Sequence, residues 1–403
     1  MANRIDAIAG TAFLSRSLEN VAIMAFRSPA RGGDVASGAA GRPAAAHPTE
    51  YLANVQIARF VAAALVLFGH VQQEVEAGKA GIAHGFSTVR PIDFGMGVDI
   101  FFIISGFIMA YLTRTSFGVP GAPGRFLIRR ALRVAPIYYV FTTLLVAAAW
   151  LMPERFTSAA YGFAQIAASY GFIPWPGPLG VFPVLSLGWT LNYEMMFYAA
   201  FAAALLFPRR IGLAGLAVAF VALALCNRSI SADQVQLKFW SDPIIVEFLL
   251  GVAIAELYLR GVRVGPGTGA LMVAAGFAYA ALLAGAEWRP SHRLFSIGPG
   301  AALIVAAAVL VTARPRISWA ERQFAVAGDA SYALYLSHPF SIKLLSLVWI
   351  KAGLPAGWSF VVLACLAAIT VSVAVHFTLE RWLGRLGAAL IRRPRAVAGG
   401  ATA

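Results

Sequence analysis

The chain has 403 residues, 60% of them hydrophobic and 12% charged, with a net charge of +14. Soluble domains carry about 25% charged residues, so this composition, with a mean hydropathy of +0.74, excludes an ordinary water-soluble enzyme. A basic balance suits nucleic-acid binding, but here the basic residues lie between long apolar runs, which excludes that reading as well.

Residues 1–50 are rich in Ala, Gly, Arg and Ser and hold no long apolar run. They read as a basic, disordered cytoplasmic tail. The apolar patch Val21–Phe26 is too short for a secretory signal. An apolar pattern then recurs over 54–72, 95–113, 134–152, 185–207, 211–227, 243–260, 267–286, 296–312, 331–350 and 358–378. Each segment approaches or reaches the length that crosses hydrocarbon, which predicts an all-α polytopic bundle of about ten transmembrane helices. The domain covers residues 51–386, and 387–403 form a basic cytoplasmic tail.

Arginines cluster on alternate connections. Arg114, Arg125, Arg129, Arg130 and Arg133 precede the third span, and Arg209, Arg210, Arg260 and Arg263 fall on the same side. The other side holds scattered cations such as Lys79, Arg90 and Arg155. This asymmetry places both termini in the cytoplasm. Between the third and fourth spans, Tyr161–Ile173 is apolar but too short to cross, and suits a re-entrant or interfacial piece. Pro174, Pro176, Pro178 and Pro183 then break regular structure. Paired, broken repeats of the kind found in many transporters are absent. Cys226 and Cys365 give no metal spacing and no disulfide framework.

Ionisable groups inside a membrane are costly and read as functional by default. Arg59 and His70 are eleven positions apart on the first span, so they share a face and lie about 16 Å apart along the axis. Asp99 has a matching depth on the second span. It either caps that helix or supports the His70 imidazole as a base partner. Glu194 lies near the middle of the fourth span, with Trp189, Asn192, Tyr193 and Tyr198 as polar and stacking neighbours. Such aromatics suit a sugar or an ordinary interfacial belt. Glu247 and Lys343 are further charges within spans. His338 precedes Pro339 and shares a face with Tyr335, as a site residue or as part of a helix kink. Arg129 and Arg133, four apart, align on one face beside Arg130. A guanidinium pair at a helix start can hold phosphate, although topology alone would also explain it. No phosphate-cradling glycine loop, dinucleotide fingerprint or zinc-type spacing occurs.

Together these motifs resemble the acyltransferase 3 family of membrane-bound acyltransferases over about residues 51–386. Arg59 and His70 match the family's Arg, ten residues, His motif. Gly97 to Phe107, Arg129 to Tyr139, Gly188 to Tyr198 and Gly328 to Pro339 resemble four further signatures in the same order. Gly188 to Glu194 and Pro243 to Gly251, which includes Glu247, look most like the exopolysaccharide acetyltransferase branch. The resemblance implies a multi-pass protein of the bacterial inner membrane. It would move an acyl group, usually acetyl, from cytoplasmic acyl-CoA to a hydroxyl of an exopolysaccharide or its lipid-linked precursor. No permanently bound cofactor is implied, and acetyl-CoA is a co-substrate. Arg129, Arg130 and Arg133 would hold the CoA phosphates, and Arg59 would reach the pantetheine end. His70, supported by Asp99, would act on the acceptor hydroxyl. Glu194, Trp189, Asn192, Tyr193, Glu247, Tyr335 and His338 would line the cavity. Membrane lipid is the surrounding partner, and homo-oligomerisation is left open. The alternatives are another acceptor, such as a macrolide or lipid-linked oligosaccharide, or a proton-coupled transporter.

Overall fold

The computed structural model describes residues 48–81, 86–152, 161–177, 180–286, 292–312 and 318–391. Most of the expected tails, 1–47 and 392–403, lies outside them. Regular structure among the described residues is helical apart from the two-residue antiparallel pairing of Pro176–Gly177 with Gly180–Val181 and one isolated bridge.

The first helix, α1 (Pro48–Glu76), begins before the expected domain boundary. It is followed by α2 (Met96–Leu112) and α3 (Ala122–Leu151). Gly121 precedes α3 with φ 73°, and a proline opens its first turn, where a missing N–H costs nothing. The apolar connector expected at 161–173 contains a short helix, α4 (Phe163–Tyr170). Then come α5 (Trp189–Ala204), α6 (Arg209–Cys226), α7 (Val246–Leu259), α8 (Pro266–Ala284) and α9 (Gly298–Leu310). The amphipathic α10 (Trp319–Asp329) starts with a capping box formed by Ser318 and Glu321. It leads into α11 (Ser331–Lys351) and α12 (Trp358–Val375). A π-helical turn, His376–Glu380, joins α12 to α13 (Arg381–Ile391). The expected C-terminal tail therefore starts inside a helix.

Every segment expected to span is occupied by a helix. Six helical stretches are long and apolar enough to cross a membrane, and Met96–Leu112 and Gly298–Leu310 are shorter apolar helices. Large apolar side chains such as Trp150, Leu225 and Leu282 are exposed on the outside of the bundle. In water such a surface would drive association; hydrocarbon suits it, as befits a membrane protein. Pro136 inside α3 and Pro339 inside α11 are of the kind that neighbouring helices tolerate in membranes.

The tightest packing joins α2 to α7. A side chain at Gly106 would meet the Phe248 carbonyl oxygen at 1.9 Å, and one at Gly251 would meet the Ile103 carbonyl oxygen at 1.9 Å. Small residues on both helices thus let the backbones touch. Phe102, Phe248 and Phe197 stack beside that contact, with centroids 4.6 and 4.4 Å apart. Gly251→Val should force the helices apart at an overpacking cost of about 1–3 kcal/mol or more. The measurable result is a lower melting temperature for the purified protein in detergent. An unchanged melting temperature would contradict this packing.

Candidate active site

The α1, α2, α3, α5 and α11 helices enclose a cavity of about 140 Å³ whose lining includes Arg59, Arg130, Arg133, Glu194, Tyr198, Tyr332 and Tyr335. Arg59, Arg130, Arg133, Glu194 and Tyr335, all singled out in the sequence, thus line one cavity. Arg129 does not join them; it is exposed on the outer face of α3. The pair turned inward is Arg130 with Arg133, three apart, rather than Arg129 with Arg133. Both pairings are helical neighbours, and the rotation of α3 selects between them.

Two of these cations are balanced. Arg133 donates to Glu380 at 2.8 Å, and the other Glu380 oxygen meets His376 Nδ1 at 2.8 Å. The π-helical turn supplies both partners. Arg59 donates to Gln56 at 2.9 Å, and Gln56 donates to Asp329 at 2.5 Å. Burial raises the Asp329 carboxyl above its ordinary value, against the pull of the Arg59 guanidinium. Arg130 stands apart. It lies over the Phe126 ring, 5.8 Å from its centroid, and among the described residues it has no carboxylate partner. Its buried Nε also lacks a hydrogen-bond partner there. Glu194 accepts from Ser105 at 3.1 Å and from Tyr198. Three guanidinium groups in the wall, one of them without a bonded carboxylate among the described residues, supply donors for an anion.

Tyr332, Tyr335 and His338 follow one another on α11 at helical spacing, leading away from the arginines. The Tyr335 hydroxyl lies 3.0 Å from Thr190 Oγ1 and donates to the Leu187 carbonyl at 3.1 Å. The Tyr335 and His338 rings are 6.3 Å apart. Beyond them His70 Nδ1 meets His338 Nε2 at 2.8 Å, and His338 Nδ1 meets the Leu334 carbonyl at 2.9 Å. A carbonyl can only accept, so the network assigns hydrogen to His338 Nδ1. In a neutral pair His338 Nε2 then accepts from His70 Nδ1–H. The lone pair of His70 is left on Nε2, as a general base requires.

The expected support of His70 by Asp99 does not form. Asp99 is fully buried and accepts from Arg293, which also lies 3.6 Å from Asp93. Equal depth in a membrane does not make two side chains neighbours, and α2 turns Asp99 away from His70. Glu247, expected in the cavity, is fully buried beside Asp99. Asn192 is also fully buried, and neither of its amide atoms finds a partner among the described residues. Neither Glu247 nor Asn192 lines the cationic cavity. Lys343 lies 3.6 Å from Glu74, with its side chain largely exposed.

Trp189 and Tyr193 line a second cavity of about 120 Å³, together with Asp242, Ile244, His292 and Arg293. The two cavities use adjacent faces of α5. Thr190, Glu194 and Tyr198 face the first, and Trp189 and Tyr193 face the second. The sequence reading missed Gln56, Asp329, His376, Glu380 and Arg293. His376 and Glu380, four apart in an apolar stretch, carried a visible signal. Arg293 carried none, because it lies in a connection.

Residues 52–377 match the family described as Acyltransferase domain, acyltransferase 3. The chain is 35% identical over 297 residues to the exopolysaccharide production protein ExoZ of Rhizobium meliloti (strain 1021), covering 73% of this chain and 90% of that protein. It is 25% identical over 384 residues to the acyltransferase MdmB of Streptomyces mycarofaciens, covering 84% of this chain and 93% of that one. No solved structure matches. The family match spans most of the chain and includes the cationic cavity and both histidines, so this protein belongs to the acyltransferase 3 family and is an acyltransferase.

Proposed function

We propose that the protein transfers an acetyl group from cytoplasmic acetyl-CoA to a hydroxyl of an exopolysaccharide or its lipid-linked precursor. One observation carries this reading: His70, half-buried, bonds to buried His338, which stands one turn along α11 from Tyr335 in the wall of the cationic cavity. In this account the chain crosses the bacterial cytoplasmic membrane about ten times, with both termini and the arginine end inside. The likeness to an exopolysaccharide production protein supports the acceptor class.

The chemistry follows from the residues. Arg130, the cation with no bonded carboxylate among the described residues, anchors the CoA phosphates, helped by Arg133. Arg59, bonded to Gln56 on the side away from His70, meets the pantetheine end of the donor. His70 Nε2 takes the proton of the acceptor hydroxyl as the oxygen adds to the thioester carbon. The carbon–sulfur bond then breaks, and the leaving sulfur takes the proton back from His70. His338 acts through His70 as a positioning residue: accepting the Nδ1–H bond keeps the reactive tautomer and stabilises the imidazolium that forms.

The first test uses purified protein in liposomes with labelled acetyl-CoA and a glycan acceptor. His70→Ala should lower turnover by about 10²–10⁴-fold. His338→Ala should lower kcat by about fivefold to 150-fold, the equivalent of about 1–3 kcal/mol, with the KM for acetyl-CoA little changed. His338→Gln, whose amide oxygen can still accept from His70, should recover part of that loss. Near wild-type transfer by folded His70→Ala would overturn the mechanism. Equal loss in the Gln and Ala variants would overturn the role of His338. The second test measures acetyl-CoA affinity. Arg130→Ala should weaken binding about tenfold or more, as loss of a charged hydrogen-bond donor does, whereas Arg129→Ala should leave it unchanged. The reverse order would place the phosphates on the exposed face of α3.

A further inference from the structure

The second cavity differs in chemistry from the first. Its walls are Trp189 and Tyr193 from the start of α5, Asp242 and Ile244 from the turn before α7, and His292 and Arg293 from the connection before α9. We infer that this cavity binds one neutral sugar ring of the acceptor. The inference deepens the acyl-transfer reading and rests on it for the word acceptor.

Charge decides the ligand class first. Arg293 is the only cation fixed by side-chain type in this wall, and it is already engaged by Asp99 and Asp93. Asp242 contributes a carboxylate that accepts the Ile244 N–H through one oxygen at 2.9 Å. Its other oxygen has no partner among the described residues. A wall with a committed guanidinium and a half-free carboxylate disfavours phosphate. It favours a ligand that donates hydroxyl hydrogens, since a carboxylate is an acceptor-only group when ionised. His292 adds a ring nitrogen at the same wall.

Shape points the same way. The Trp189 and Tyr193 rings meet edge to face, with centroids 5.9 Å apart at 87°. Tyr193 is held from behind: its ring stacks on Phe239 at 4.3 Å, and its hydroxyl donates to the Phe239 carbonyl at 2.9 Å. The aromatic corner is therefore fixed before a ligand arrives, which lowers the ordering cost of binding. Aromatic faces take the C–H face of a sugar while polar groups at the rim take its hydroxyls.

The cavity also stands near the reacting end of the bundle. Arg293 packs against Gly95 at the start of α2. That same stretch of α2 lies against α1 at Gly69, the residue before His70, through Phe94. The α5 helix thus separates an anion-binding donor cavity from a neutral acceptor cavity on its adjacent face.

The experiment uses the full-length protein in nanodiscs, with methyl glucoside and methyl galactoside as probes, read by saturation-transfer NMR and competition. Wild type should bind at least one glycoside saturably. Asp242→Asn and Trp189→Ala should each weaken that binding about tenfold or more. Acetyl-CoA affinity, measured on the same samples, should be unchanged, which also shows that the variants fold. Saturable binding that neither variant weakens, or no binding by wild type, would overturn the inference. If the glycoside binds as described but no acetyl transfer occurs, the acyl-transfer reading fails and the sugar site stands. If transfer occurs and Asp242→Asn leaves the acceptor KM unchanged, the sugar site fails and the acyl-transfer reading stands.

Discussion

A charge buried in a membrane bundle must find its counter-charge inside the bundle, because hydrocarbon does not solvate it. That constraint organises this protein. Arg133 on α3 is held by Glu380 in the π-helical turn, 247 residues away. Arg59 on α1 reaches Asp329 on α10 through Gln56. Arg209 on α6 is held by Glu256 on α7, and Arg293 by Asp99 on α2. Each bond ties elements that are distant in sequence. These contacts help fix how the helices are arranged around one another. The π-helical turn fits this picture, since such turns frequently mark functional sites in helices.

Against that background the exceptions carry meaning. Arg130 has no bonded carboxylate among the described residues, and it lines the cavity with Glu194. A buried guanidinium whose Nε has no partner there is a place for an anion from outside the bundle. His70 and His338 are the second exception: two bases in contact, with the Leu334 carbonyl fixing the order of hydrogens along the chain. One exception suits the charged end of an acyl donor and the other suits its reacting end. The Tyr332–Tyr335–His338 face of α11 joins them.

Much of this was legible in the sequence, and the failures share a cause. Hydropathy reveals depth, and the helical period reveals which residues share a face. Arg59, Arg133, Glu194 and Tyr335 stand out on those two facts, and with Arg130 they line one cavity. The hydrogen bond of Tyr198 to Glu194 also follows, since four residues make one turn. What depth and period do not supply is the rotation of one helix relative to another. Asp99 has the depth of His70 and faces Arg293 instead. Arg129 and Arg130 are both one turn from Arg133, and only packing decides which turns inward. His70 and His338 each stood out alone, but a contact across 268 residues leaves no local trace. Asp329 sits at a helix end, where a charge looks unremarkable, whereas Glu380 lies one turn from His376 in an apolar stretch.

The account rests on transfer of an acetyl group to a glycan that depends on this chain. The most direct measurement is mass spectrometry of the surface glycan from cells carrying the gene, lacking it, or carrying its His70→Ala form. The account predicts that the glycan loses the mass of an acetyl group per modified unit when the gene is absent, and that the His70→Ala form fails to restore it. A glycan of identical mass in all three cells would contradict it.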